Sequence, residues 1–187
     1  MKAFAPLAPG WLPAVPPSLS PAHKYWLMRP GALTAGLRKL GKVHLRVLRE
    51  YAQGAPADEA RGMGMAPASP VWVREILMSV DGVDSVVARS LTPLAASHGT
   101  WQGMRRLSTR PLADMLYHDR TIERSPFVCR RLAWPVPFYA TARGVQADPR
   151  SGALWARRSA FWRLGQPLLV AECFLPAFWT AVEHHPA

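Results

Sequence analysis

Val71-Trp-Val-Arg-Glu-Ile-Leu-Met-Ser-Val80, then Asp81-Gly82, then Val83-Asp-Ser-Val-Val-Ala-Arg-Ser-Leu91 is the stretch that decides the fold. Two apolar runs rich in β-branched residues flank an Asp-Gly pair, which suits a type I′ turn because both central positions need positive φ. The stretch therefore predicts an antiparallel hairpin. Upstream, Val43, Leu45 and Val47 alternate with His44 and Arg46, the period of a further strand. Downstream, Leu154–Leu164 and Pro167–Phe174 predict two more strands joined at Gly165-Gln166, and another strand falls near 120–132.

Helices fill the gaps between these strands. Residues 22–28 predict a short helix stopped by Pro30-Gly31. Leu33, Leu37 and Leu40 recur at helical spacing over 32–40, and Gly41 stands where a helix stop belongs. Pro111, with Thr109 upstream and Leu112, Met115 and Leu116 following, predicts another helix start. Gly54 to Pro70 reads as a loop, 94–108 as helix or loop, and 133 to about 150 as an irregular Pro-rich stretch. Hairpins with helices packed to one side give a single α+β domain. Residues 1–23, carrying six prolines, are expected to be an extended arm or poorly ordered tail ahead of a domain spanning 24–180.

Composition narrows the function classes. The chain has 187 residues, 49% of them hydrophobic, enough for one core. A mean hydropathy of -0.03 and the lack of a long apolar run argue against a spanning helix. Prolines interrupt the N-terminal segment, which argues against a secretory leader. Cys129 and Cys173 are too few for a disulfide framework or a cysteine-based zinc site, so the chain reads as cytoplasmic. The formal net charge of +11 is scattered in ones and twos, with arginine far outnumbering lysine. It reads either as plain surface charge or as a field favouring an anionic small substrate.

Two charged residues sit on apolar strands. Arg74 shares strand parity with Trp72, Ile76 and Met78. Either it snorkels to water at an edge, or its planar fork meets a carboxylate as a lysine could not. Glu172 shares a face with Leu168, Val170 and Phe174. Either it pairs with one of the arginines, or it is a carboxyl fitted for proton or hydroxyl chemistry. The adjacent Arg157 and Arg158 must point to opposite faces. Backbone N–H groups at Leu33 and Leu112, near predicted helix starts, are candidate anion donors.

Other templates fail. No HExxH or paired-cysteine pattern supports a metal, and His184-His185 reads as a terminal loop. Gly62-Met-Gly64 lacks the context of a phosphate loop, and Ser97, His98 and Gly99 make no nucleophile elbow.

In their order and register, these segments resemble the chorismate pyruvate-lyase family over roughly residues 24–176. Leu33-Thr34 precede Gly41-Lys42 at the family's spacing, and Val47-Leu-Arg-Glu50 follows. Trp72-Val-Arg-Glu-Ile-Leu77, Ala88-Arg-Ser-Leu-Thr-Pro93 and Arg110-Pro-Leu112 match next. Leu154-Trp-Ala-Arg-Arg-Ser159, running on to Phe174-Leu-Pro176, closes the match. The resemblance implies a mainly antiparallel mixed sheet flanked by helices. It also implies conversion of chorismate to 4-hydroxybenzoate and pyruvate for ubiquinone biosynthesis, with no cofactor and no metal. By the same resemblance, Arg74 and the backbone at Leu33 and Leu112 hold the ring carboxylate, while Glu172 faces the ring hydroxyl. Leu33 stands where well-known members carry methionine; a backbone contact tolerates that change. Arg89 and Arg157 are candidates, from location alone, for the enolpyruvyl carboxylate.

The expected partner is chorismate, without nucleic acid or membrane insertion, and the expected state is a monomer. A non-catalytic ligand-sensing domain of the same fold is the main rival, because fold does not fix function. Such sensors carry a winged helix-turn-helix that residues 1–23 are too short to supply. A basic polyanion binder is the third reading.

Overall fold

The computed structural model describes residues 8–117, 119–146, 148 and 152–184. Ser20 caps the first helix, α1 (Pro21–Met28), by accepting from the His23 amide, and Pro21 sits in the first turn, where its missing N–H costs nothing. The second helix, α2 (Leu33–Leu40), buries Leu33 and Leu37 and ends at Gly41 as the spacing predicts. There follow β1 (Val43–Gly54), α3 (Ala57–Met63), β2 (Pro70–Val80) and β3 (Val83–Pro93). Two 3-10 turns (Ala96–His98 and Gln102–Arg106) lead to the four-residue α4 (Ala113–Leu116). The remainder is β4 (Glu123–Arg124), β5 (Val128–Arg131), α5 (Pro137–Gly144), β6 (Trp155–Arg163), β7 (Gln166–Phe174) and α6 (Pro176–His184).

The hairpin is as expected. Asp81 and Gly82 hold φ of 48° and 85°, the positive pair of a type I′ turn. The β6–β7 turn uses Leu164 and Gly165 at φ of 50° and 74°, one residue earlier than the sequence suggests. The sheet runs β1-β2-β3-β7-β6-β4, with β5 also on β6, and every pairing is antiparallel.

Several sequence expectations are corrected. The stretch from Gly54 to Pro70 contains α3, whose Ala60 and Met63 are buried three residues apart and whose end is set by Gly64 at φ 68°. The Pro-rich 133–150 stretch contains α5. There Pro137 starts the helix rather than breaking one, and Phe138 and Ala142 share its buried face. The helix expected at Pro111 begins at Ala113, with Leu112 in the capping position. The strand expected over 120–132 is split into β4 and β5, and His184 ends α6 instead of lying in a loop. His185 lies outside the described residues.

Helices cover both sides of the sheet, not one. Residues 73–78 and 85–92 are buried on both parities, so each face needs a cover. Trp26, Leu27, Leu37, Phe178 and Trp179 from α1, α2 and α6 pack on Ile76, Met78, Ala88 and Phe174. On the opposite side, α5 packs on Leu77, Val87 and Cys173, and α3 on Val73, Leu91 and Leu169.

The arm starts in this second layer, and its Val15 and Leu19 pack against the first. Ala8 and Trp11 are buried, and Leu12 pairs with Cys129. The Trp11 indole donates to Asp58, and Arg130 donates to the Pro9 carbonyl. No helix among the described residues is long and apolar enough to cross a membrane.

Candidate active site

Antiparallel register places the charged residues in two rows across the sheet. Arg74, Ser90, Val170 and Ser159 are successive Cα partners on β2, β3, β7 and β6. One step along, Ile76, Ala88, Glu172 and Arg157 form the second row. Because side chains alternate along a strand, both rows project from the same face.

Above these rows lies a cavity of about 560 Å³, counting the space at its mouth. Ser90, Ser159, Arg157 and Glu172 form its polar floor among Ile76, Met78, Ala88 and Val170. The start of α2, at Ala32, Leu33 and Thr34, and the segment Pro111 to Tyr117 form its walls, with Phe127 beside Arg157. Leu33, Leu112 and Glu172, all named from sequence, are therefore brought together.

Arg74 is placed differently. It lies in the first row, 1% exposed, but does not bound the cavity. Its Nε donates to Glu50 at 3.1 Å, and its Nη2 donates to the carbonyls of Ser108 and Arg110 at 2.6 and 3.4 Å. Burial lowers the pKa of the guanidinium, while Glu50 works against that shift. Arg74 does not snorkel to water: it meets the Glu50 carboxylate and secures the chain just before the cavity wall at Pro111-Leu112.

Of the two arginines considered for a second carboxylate, Arg89 lies on the opposite face. It joins Glu59 through two hydrogen bonds of 2.6 and 3.0 Å and also meets Glu75 and Tyr51, while Thr141 donates to Glu75. Burial opposes the Arg89 charge, but Glu59 and Tyr51 outweigh it and raise its pKa. Arg158 points the same way and pairs with Asp58 at 2.8 Å. Arg157 reaches the cavity. Its Nε donates to Glu172 at 2.6 Å, and its Nη1 donates to the carbonyls of Trp26 and Arg29, both at 3.1 Å. Glu172 is thus ion-paired with Arg157, as one sequence reading expects, and it also borders the cavity.

Sequence reasoning missed Ser90, Ser159, Thr34, Phe127 and Tyr117. The parity of Ser90 and Ser159 was readable, but their register with Arg74 was not. Tyr117 carried no sequence signal. Burial raises its phenol pKa; Arg124 works against this and Glu172 adds to it, so at neutral pH the group is a hydroxyl donor. Among the described residues, no cluster of three or more His, Cys, Asp or Glu side chains could hold a metal.

An antiparallel α+β sheet carrying a walled, mostly apolar cavity with an arginine–carboxylate pair and hydroxyls on its floor defines a small-molecule-binding domain suited to an oxygen-rich ligand. The chorismate lyase family matches residues 8–184, and the chain belongs to that family. A probable chorismate pyruvate-lyase of Bordetella pertussis is 75% identical over 178 residues, covering 94% of this chain and 93% of its own length. That of Bordetella avium is 71% identical over 181 residues, covering 97% and 90%. Probable chorismate pyruvate-lyase 1 of Pseudomonas fluorescens is 39% identical over 169 residues, covering 90% of each.

Solved structures share the fold at low identity. PhnF from Mycobacterium smegmatis superposes with a TM-score of 0.56 at 17% identity, over 78% of this chain and 64% of that one. The C-terminal domain of the histidine utilization repressor from Pseudomonas syringae gives 0.54 at 14% identity, over 72% and 92%.

Proposed function

We propose that this chain is a chorismate pyruvate-lyase, releasing 4-hydroxybenzoate and pyruvate from chorismate at the entry to ubiquinone biosynthesis. The observation that carries the reading is identity of 71–75% to proteins of that name over nine-tenths or more of the chain. The cavity supports it independently, being floored by hydroxyls and an ion pair.

In this reaction the ether bond at ring C3 breaks and the hydrogen at C4 leaves, so the ring becomes aromatic and the enolpyruvyl group departs as pyruvate. Aromaticity supplies the driving force. What the protein must supply is one reactive pose, which is itself a large share of catalysis. We assign the ring carboxylate to the end of the cavity walled by the Leu33 and Leu112 backbones, with Arg74 beneath it. Glu172 then accepts from the C4 hydroxyl. The walls exclude water from the departing enolate, and no cofactor or metal enters the scheme. We place the enzyme in the cytoplasm as a monomer, without nucleic-acid or membrane partners.

The test is purified protein with chorismate and no added metal or cofactor, followed by chromatography. Equal formation of 4-hydroxybenzoate and pyruvate above the spontaneous background is expected. Chorismate binding without turnover would replace the enzyme with a ligand sensor of the same fold.

A further inference from the structure

Arg157 is 1% exposed, yet it lies on the floor of the cavity. A buried guanidinium needs its donors satisfied, because an unpaired buried charge is costly. Here two of the three nitrogens, Nε and Nη1, are already engaged by the protein itself. Nε holds Glu172, the acid on the neighbouring strand, and Nη1 holds two carbonyls of the turn ending α1, those of Trp26 and Arg29. The Cζ of the same group lies over the Phe127 ring, 4.2 Å from its centre, and that ring also borders the cavity. Just past Arg29 the chain enters α2, whose Leu33 and Thr34 form a wall.

We infer that Arg157 is a positioning residue rather than the ligand of the enolpyruvyl carboxylate: one guanidinium fixes the Glu172 carboxylate and ties it to the α1–α2 segment over the cavity. This rests on the lyase reading for the identity of the ligand, but not for the coupling itself. Glu172 makes no hydrogen bond to α1 among the described residues, so Arg157 is the hydrogen-bonded link between the two. A planar fork can serve two strands and a helix end at once; a lysine ammonium is a single point of charge. The arrangement also explains why the two arginines of the Arg157-Arg158 pair are not equivalent, one serving the cavity and the other Asp58 on the opposite face.

The product 4-hydroxybenzoate separates the two roles, because it keeps the ring hydroxyl and carboxylate but lacks the enolpyruvyl group. In Arg157→Lys, a positioning role weakens 4-hydroxybenzoate binding by roughly tenfold, the loss typical of a charge-assisted hydrogen bond. The same variant lowers kcat as well as raising KM. In Arg157→Lys combined with Glu172→Gln, the losses in product affinity do not add, since both changes break one unit.

A ligand role predicts something else: a higher KM for chorismate with unchanged 4-hydroxybenzoate affinity. That result would overturn the inference. The second arm needs no ligand and no Arg157 substitution. In unliganded Glu172→Gln, amide exchange at Arg29 and the residues leading to Thr34 is expected to accelerate, because the bond that anchors Arg157 loses its charge and weakens. Exchange equal to that of the unaltered protein would overturn the coupling even if the lyase reading holds. Conversely, faster exchange in a protein that turns over no chorismate would reject the lyase reading and keep the coupling.

Discussion

Arg74 donates through Nη2 to the Ser108 carbonyl over 2.6 Å, and Ser108 itself holds a left-handed φ of 50°. That φ is unfavourable for a residue with a side chain and persists where surrounding contacts enforce it. The guanidinium thus fastens a strained turn two residues ahead of the Arg110-Pro111-Leu112 wall. Arg74→Ala is expected to lower kcat/KM by roughly a hundredfold, as removal of a buried charged partner does. Steady-state kinetics with chorismate are the measurement. Near-normal values would take Arg74 out of the site and leave it as a purely structural residue.

Glu172→Gln separates positioning from proton transfer. The amide keeps an oxygen that can accept from the ring hydroxyl, but it is a poor base. Turnover within a few-fold of the original would mean the carboxylate only orients the ring, with hydrogen moving within the substrate. A fall of roughly a hundredfold or more would mark a general base.

The hairpin, the register-setting Asp81-Gly82 turn and the strand pair around Leu164-Gly165 were legible because strands and turns carry local signatures. The corrections came from stretches where local and tertiary signals diverge. In α5, Pro137 read as punctuation, yet a proline is also a favoured first helical residue; only the buried Phe138 and Ala142 decide between these. Site residues divided the same way. Glu172 was visible as an acid among apolar neighbours. Ser90 and Ser159 became site residues only once the order β2-β3-β7-β6 placed them in the row of Arg74. Arg89 was misjudged because parity fixes a face only relative to its neighbours on the strand. Glu75 and Arg89 are paired across β2 and β3 on the face away from the cavity.

That pairing makes Arg89→Ala a stability variant. It leaves Glu59 and Glu75 buried without their cation, at a cost of about 3–5 kcal/mol. Thermal denaturation should show a clear loss. At a temperature where the variant is folded, kcat should stay close to the original, because the sheet separates Arg89 from the cavity. Selective loss of chorismate affinity would return Arg89 to the site.

Glu59 gives the cluster a pH signature. Burial raises its carboxyl above the ordinary value of 4.5, and this outweighs the opposing effect of Arg89. A raised carboxyl takes up a proton on folding in the window between 4.5 and the folded value. Its contribution is therefore greatest below 4.5 and is lost as pH rises through that window. Glu59→Gln removes this titration. The urea midpoint of the unaltered protein, measured relative to the variant, should fall as pH rises above 4.5. A flat difference across the acid range would mean that Glu59 titrates normally.

Trp11 tests whether the N-terminal arm belongs to the core. Its ring is 4% exposed, the Arg158 guanidinium lies 4.0 Å above it, and its Nε1 donates to both carboxylate oxygens of Asp58 at 3.0 and 3.2 Å. Trp11→Phe keeps most of the buried area and leaves Asp58 paired with Arg158, so the loss should be about 1 kcal/mol, that of one hydrogen bond. Trp11→Ala also opens a void under the arm and should cost about 3–5 kcal/mol. Denaturant midpoints rank the two. Because Trp11 packs against the face opposite the cavity, 4-hydroxybenzoate affinity should be unchanged in both variants while folded. If Trp11→Ala were as stable as the original protein, the arm would be a passenger on the domain; the graded loss expected here makes residues 8–12 part of what holds α3 and β5 against the sheet.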